Sequence, residues 1–457
     1  GRISRALVNK PKGETPPKDK RGRQSSKNKT SDIKVNEVKD FIHRFPKYES
    51  HYARHKSLNR QYLSPDLSVG IMYKLYKDEK LNNAVKLNMF RKIFNENFNL
   101  HFHAPISDSC RRCDSFKVNI MACTNDIEKR ELETARELHQ RKAESARQKM
   151  REDAELAKIG NNNLTAIAFD LMKTLPTPVL STGVCYYKRQ LWTYCFGIHN
   201  LATQEAVMYI WNESIASRGS QEIGSCLMHY IKNFVKTEKL IMYSDQCGGQ
   251  NRNIKLSLMC NYITTSPEFK VSQIDHKFLC SGHSYLPCDQ DFGLIEKSKK
   301  YYPNIYIPDD WKSVITNARK IKPFKVVEMY TNDFFSSKSL ENNITRRKIS
   351  KTKDKVEWLK MQWLRFESSQ PFSLKYKYTN QEEIDFDELD LKKRTSQVIT
   401  SLELLHPTGN CISVEKKKDL LELMAYVPPV HHAFFQSLKT SNEVPNDVFI
   451  RTQEDSK

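Results

Sequence analysis

The chain has 457 residues, 39% of them hydrophobic, and carries 74 Lys and Arg against 54 Asp and Glu for a formal net charge of +20. That is enough apolar material for two or three compact regions with their own cores. No apolar run approaches the roughly 20 residues that span a bilayer, and no charged-then-apolar start reads as a secretory signal. The positive excess predicts a polyanionic partner, nucleic acid first and no membrane; the 11 cysteines, odd in number with one CxxC pair, exclude a dense disulfide scaffold and indicate a reducing compartment, cytosol or nucleus.

Residues 1–35 are rich in Lys, Arg, Pro, Ser and Gly and poor in large apolar residues, a composition that cannot offset chain entropy by burial. They read as a disordered basic arm suited to phosphate contact or nuclear import. From Asn36, an N-cap candidate in "NEVKDFIHRFP", to Leu100, apolar residues recur at helical spacing in "SPDLSVGIMYKLYKDEK" and "AVKLNMFRKIFNENF". A small all-α region is the simplest expectation there. "SDSCRRCD" follows, and then a run from about Asp126 to Ile159 made almost wholly of strong helix formers. Its scarcity of large apolar residues predicts a solvent-bridging or weakly packed helix. Residues 36–160 are thus expected to form one helical region with a zinc knuckle.

The character changes over 161–302. "LTAIAFDLM", "VCYYKRQLWTYCFGIHN" and "EAVMYIWNES" read as three strands of a meander. Helix ("GSQEIGSCLMHYIKNFV"), strand ("KLIMYSD"), helix ("NRNIKLSLMCNYI"), strand ("KVSQIDHKFL") and helix ("DQDFGLIEKSKKYY") then alternate. The predicted class is α/β, a mixed sheet in the order β-β-β-α-β-α-β-α, which is the ribonuclease H-like order. In that fold the first and fourth strands lie side by side at the sheet centre, so acids at their ends face one another. Residues 303–457 read as a small α+β C-terminal module with basic loops and a frayed tail. In it "FKVVEMYTNDFF" and "SLKYKYTN" are strand-like, and "KVEWLKMQWLRFES" and "KKKDLLELMAYV" helical.

Asp170 ends the first core strand and Asp245 the fourth. After the fifth comes "CSGHSYLPCDQDFGLIEK", with His283, Asp289, Asp291 and Glu296. Two hard divalent ions about 4 Å apart, Mg²⁺ or Mn²⁺, need carboxylates converging from separate elements. Asp170, Asp245 and Asp289 meet that need, with Glu296, seven residues on and on the same helical face, or Asp291 as the alternative third acid. Each acid alone reads equally well as a turn or cap residue, Asp289 above all. His283 suits proton transfer or product release. In the Asp245 loop, "SDQCGGQNRN", Gly248 and Gly249 would let backbone approach a metal or phosphate, while Gln250, Asn251 and Arg252 would contact nucleic acid.

Cys110 and Cys113 have the spacing of a structural zinc knuckle, which needs two more ligands. His139 on the charged helix and His51 in "YESHYARH" complete the expected set, with His101 and His103 as neighbours. Lys188 and Arg189 are candidate phosphate contacts, although a strand with one buried face explains their setting as well. A thiol nucleophile at Cys247, served by His276 or His283, is the weaker catalytic scheme.

On "FDLMKTLPTP", "YKRQLWTYCFGIHN", "YSDQCGGQNRN", "DHKFLCSGHSYLPCDQDFGLIEK" and "LLELMAYVPPVHHAFF", the chain resembles a large insect-rich, transposon-derived family of animal proteins over most of residues 35–440. In that family a cysteine often stands two residues after the histidine matching His51; here Ala53 stands there, which weakens His51 as a ligand. The resemblance and the strand order together imply a DDE-type transposase or a domesticated derivative. It would be nuclear, act on DNA at transposon ends and target, need two Mg or Mn ions and a structural zinc, and be compatible with a homo-oligomer. The alternative is a catalytically silent nucleic-acid-binding or scaffold protein of the same descent.

Overall fold

The computed structural model describes residues 30–45, 48–49, 61–64, 67–102, 110–345 and 349–442, in a chain that separates into two units, 1–107 and 108–457. The basic arm before residue 30, His51, His103 and the tail from residue 443 lie outside the described residues. Among the described residues, no helix is long and apolar enough to cross a membrane.

The first unit contains α1 (Asp32–His43), β1 (Tyr48–Glu49), β2 (Gln61–Leu63), α2 (Val69–Lys80), α3 (Leu87–Asn97) and β3 (Leu100–Phe102). Ser31, not Asn36, caps α1, its side chain accepting the Lys34 N–H. The apolar stripes of the three helices meet as expected: Val38, Phe41, Ile42, Met72, Tyr76, Phe90, Ile93 and Phe94 form one buried cluster. The unit is nevertheless not all-α, because β1, β2 and β3 form a small sheet in that order. Strands this short leave no alternation for a sequence pattern to register.

The second unit starts with α4 (Arg111–Ala122) and α5 (Asp126–Lys158) and continues through β4 (Leu164–Leu171), β5 (Leu175–Thr177), β6 (Leu191–Asn200), β7 (Ala206–Asn212), α6 (Ser220–Phe234), β8 (Lys239–Ser244), α7 (Ile254–Thr265), β9 (Gln273–Phe278) and α8 (Pro287–Lys299). It ends with α9 (Asp310–Thr316), β10 (Lys325–Glu328), α10 (Lys338–Asn342), β11 (Trp363–Glu367), β12 (Ser373–Lys377), β13 (Asp387–Asp390), α11 (Val414–Leu423) and α12 (His432–Ser437). The strands form one ten-stranded mixed sheet in the order β10-β7-β6-β4-β8-β9-β11-β12-β13, with β5 on β6. β4 runs antiparallel to β6 and parallel to β8, so the first and fourth strands of the expected core are neighbours.

Helices cover both faces, which is why the central strands are continuously apolar rather than alternating. Ile167 and Phe169 of β4 join one core with α6 and α7; Ala166 and Ala168 join the other with α5, α8 and α9. The small residues let α8 lie close. A Cβ on Gly197 of β6 would come within 2.8 Å of the Phe292 ring of α8, and the Cys288 thiol at the helix start donates to the carbonyls of Ala168 and Gly197.

Two boundaries differ from the sequence reading. The CxxC segment and the long charged helix belong with the sheet, not with the preceding helices. The second half of α5 packs in one cluster with β4 through Ala146, Met150, Ala154 and Ala157, a helical stripe made mostly of small residues. Its buried Asp153 takes a hydrogen bond from Tyr243 and an ion pair from Lys277. Residues after 302 are likewise not a separate module: β10 pairs with β7 at one edge of the sheet, and β11, β12 and β13 extend the other. "KVEWLKMQWLRFES", expected to be helical, instead carries a short 3₁₀ turn and then β11, whose Leu364 and Phe366 enter the core while Trp363 and Arg365 reach Asp275 on β9. Pairing with β9 overrides its helix propensity.

Candidate functional site

The register of the central strands puts two acids level. β4 and β8 are parallel, with Ala168 opposite Tyr243; carrying that register two residues on brings Asp170 level with Asp245, just past the end of β8. Side chains alternate along a strand. Asp170 therefore shares its face with Ala166 and Ala168, and Asp245 with Ile241 and Tyr243, the face covered by α5 and α8. Cys288 ties the α8 N-terminus to β4 and β6, and the next residue is Asp289.

These acids sense one another. Asp170 has a pKa held well above the ordinary carboxylate value, first by burial and then by the charges of Asp245 and Asp289. Its Oδ1 accepts the Leu171 N–H at 2.8 Å. Asp245 Oδ1 accepts the Cys247 N–H at 3.0 Å and the Asn251 Nδ2 at 2.5 Å. Among the described residues neither Asp170 nor Asp245 has an ion-pair partner. Asp289 Oδ2 accepts the Leu286 N–H at 2.9 Å, so it does cap α8, and its charge also reaches Asp170.

The alternative third acids stand elsewhere. Asp291 is buried and bound on both oxygens, to His199 Nδ1 at 2.6 Å and Arg319 Nη1 at 3.2 Å. Glu296 is exposed and pairs with Lys173 at 2.7 Å. In the Asp245 loop the glycines keep open space around them. Gln250 sits half-buried in a turn onto Cys247. Asn251 and Arg252 are buried; Asn251 holds Asp245, and Arg252 donates to the Met361 carbonyl and lies over the Phe278 ring.

Lys188 and Arg189 turn inward to α11: Arg189 pairs with Asp419 at 2.8 Å and Lys188 with Asp419 and Glu422. The thiol scheme finds no geometry. His276 is buried with its Nε2 on the Ser244 hydroxyl, and burial and Asp245 raise the pKa of the Cys247 thiol, the wrong direction for a nucleophile.

A second constellation is tighter. One ligand atom from each of Cys110, Cys113, His139 and His283 lies within 4.8 Å of the others. This group of residues could hold a metal ion. The Cys110 Sγ and His139 Nε2 are 3.3 Å apart, and so are the Cys113 Sγ and His283 Nε2. A zinc ion with bonds of about 2.3 Å to sulfur and 2.0–2.1 Å to nitrogen needs a tetrahedral edge of about 3.6 Å, which lies between these separations and the 4.8 Å bound on the whole group. Without a cation, the Cys113 thiol is pushed up to about 11, by burial first and then by Cys110. The three acids do not close to the same distance; carboxylates shared between two ions span more than those around one.

His283 is the residue the sequence misassigned. Expected beside the acids, it is turned onto the CxxC segment by Gly282, whose φ of +72° and close approach to the Cys110 backbone exclude a side chain. Among the described residues it joins Cys110, Cys113 and His139; His51 lies outside them, and His101 lies exposed in β3 of the first unit. The sequence placed Gly282 and His283 after the fifth core strand, but not the direction in which Gly282 turns the chain.

The chain matches no protein-family model and no curated protein.

Proposed function

We propose that the chain is a DDE-type transposase or a domesticated derivative, built on a ribonuclease H-like core. What supports the fold reading is the strand order β7-β6-β4-β8-β9, with the first and fourth core strands parallel neighbours. The observation that supports the function is that Asp170 is buried, feels the charges of both Asp245 and Asp289, and has no ion-pair partner among the described residues.

Asp170, Asp245 and Asp289 would hold Mg²⁺ or Mn²⁺. Bound there, the ions would supply charge neutralisation at the attacking and leaving oxygens of a DNA phosphodiester. The chain's own part is positional: Asn251 and the Cys247 N–H orient Asp245, and the α8 cap orients Asp289. Asp291 and Glu296 serve the fold, and a structural zinc at Cys110, Cys113, His139 and His283 completes the reading. The net charge of +20 suits a DNA partner and a nuclear setting.

The test is cleavage of DNA carrying the sequences that flank the gene, in Mg²⁺ or Mn²⁺, by wild type and Asp245→Asn. Cleavage abolished in the variant is the expected result. Equal cleavage in both removes Asp245 from the site, and DNA binding without cleavage in either favours the silent, domesticated reading.

A further inference from the structure

The Cys/His group and the acids are joined by one short piece of chain. His283, in the segment between β9 and α8, stands six residues before Asp289 on the first turn of α8. Among the described residues, that segment's backbone–backbone hydrogen bond within 280–285 runs from the His283 N–H to the Cys280 carbonyl. Two of its residues, Gly282 and Tyr285, have positive φ, +72° and +42°. The left-handed region is unfavourable for a tyrosine and persists only where the surroundings impose it.

The surroundings here are α4 and α5. A Cβ on Gly282 would sit 2.7 Å from the Cys110 Cα, the Cys110 thiol donates to the Ser281 carbonyl, and the Arg147 guanidinium of α5 lies 5.0 Å from the centre of the Tyr285 ring. The four sulfur and nitrogen donors thus tie the segment sideways to α4 (Cys110 at its N-cap, Cys113) and to α5 (His139). Beyond the tie, Leu286 and Cys288 are buried and Asp289 follows on the first turn of α8.

We propose that a metal held by Cys110, Cys113, His139 and His283 positions Asp289, so that filling the Cys/His site strengthens divalent-ion binding by the three acids. This rests on the reading of those acids as a divalent site. The soft-metal site acts as the rigid support of a hard-metal site, from a different shell of the protein.

The probe is Mn²⁺ binding to the full chain, read by the free-ion electron paramagnetic resonance signal, alongside zinc content and hydrogen exchange of residues 279–289. The zinc-loaded wild type is expected to bind Mn²⁺ with that segment protected. His283→Ala and His139→Ala, altered on different elements, are expected to lose zinc, expose the segment to exchange and bind Mn²⁺ about ten-fold or more weakly, the range found when supporting groups around a metal are removed. His283→Cys, which keeps a soft ligand, is expected to restore all three. Zinc lost with Mn²⁺ affinity and segment exchange unchanged overturns the coupling alone. A zinc-loaded wild type that binds no Mn²⁺ overturns the acid-site reading instead.

Discussion

Cys113 and His283 lie 170 residues apart in the chain, yet their Sγ and Nε2 atoms are 3.3 Å apart. With Cys110 and His139 they make a soft-metal donor set, and the expected occupant is one zinc per chain. Cys113→Ala is expected to abolish zinc binding, and zinc removal from the wild type to lower its melting midpoint, since a ligand of the native state alone stabilises it. Zinc analysis and thermal melting check this. Zinc retained at full stoichiometry in Cys113→Ala would show that the ion, if any, sits elsewhere.

Asp170 makes the metal-free protein sensitive to pH in a defined direction. Its folded pKa lies above the ordinary value of 3.8, so the native state keeps a proton that the unfolded chain has released. The resulting stability is full below 3.8 and is lost as pH rises through the raised folded value. Asp170→Asn is therefore expected to stabilise the ion-free protein near neutral pH and to flatten its stability profile above about pH 4. The measurement is thermal melting in chelator across that range. A variant no more stable than wild type at neutral pH contradicts the crowding of the acids.

His276 acts in the opposite sense. Burial lowers its pKa from 6.5 to about 3, so the unfolded chain binds a proton that the native imidazole refuses. Stability is present above 6.5 and is lost as pH falls toward about 3, at a slope of up to about 1.4 kcal/mol per pH unit. Urea unfolding of wild type and His276→Gln over that interval checks it. The variant is expected to show the shallower acid loss; parallel profiles would mean His276 titrates normally.

Asp291 and Glu296 are distinguishable from Asp289 by what their removal costs. Asp291→Ala leaves His199 and Arg319 without their shared carboxylate in a buried setting, and a loss of about 3–5 kcal/mol is expected. Glu296→Gln breaks an exposed pair with Lys173 and is expected to cost about 1 kcal/mol or less. Asp289→Asn is the change expected to remove Mn²⁺ binding. Mn²⁺ binding lost in Glu296→Gln and kept in Asp289→Asn would reverse the assignment of the third acid.

Much of this was legible in the residues. Runs such as "LTAIAFD" and "KLIMYSD" end apolar strands in an acid, and β4 and β8 lie where those runs placed them. Such information is local: periodicity, caps and breakers decide the element type, and strand ends decide where the chain turns. The apolar stripes of α1, α2 and α3 were equally plain. Less visible was the alanine stripe of α5, because small residues carry little hydrophobic signal though they permit close packing.

What only the tertiary structure decided is which distant residues meet. Composition offered several histidines to the CxxC pair; the choice of His283 depends on the direction in which Gly282 turns the chain after β9. Lys188 and Arg189 read as candidate phosphate contacts until α11 placed Asp419 against them. Strand β11 looked helical until it found β9 as its partner. The physical reason is the same in each case. Sequence pattern determines what a segment can be over a few residues, whereas pairing energies between segments far apart in the chain determine what it becomes. Asp170 and Asp245 were readable because strand ends are local; their level alignment required the parallel register of β4 on β8.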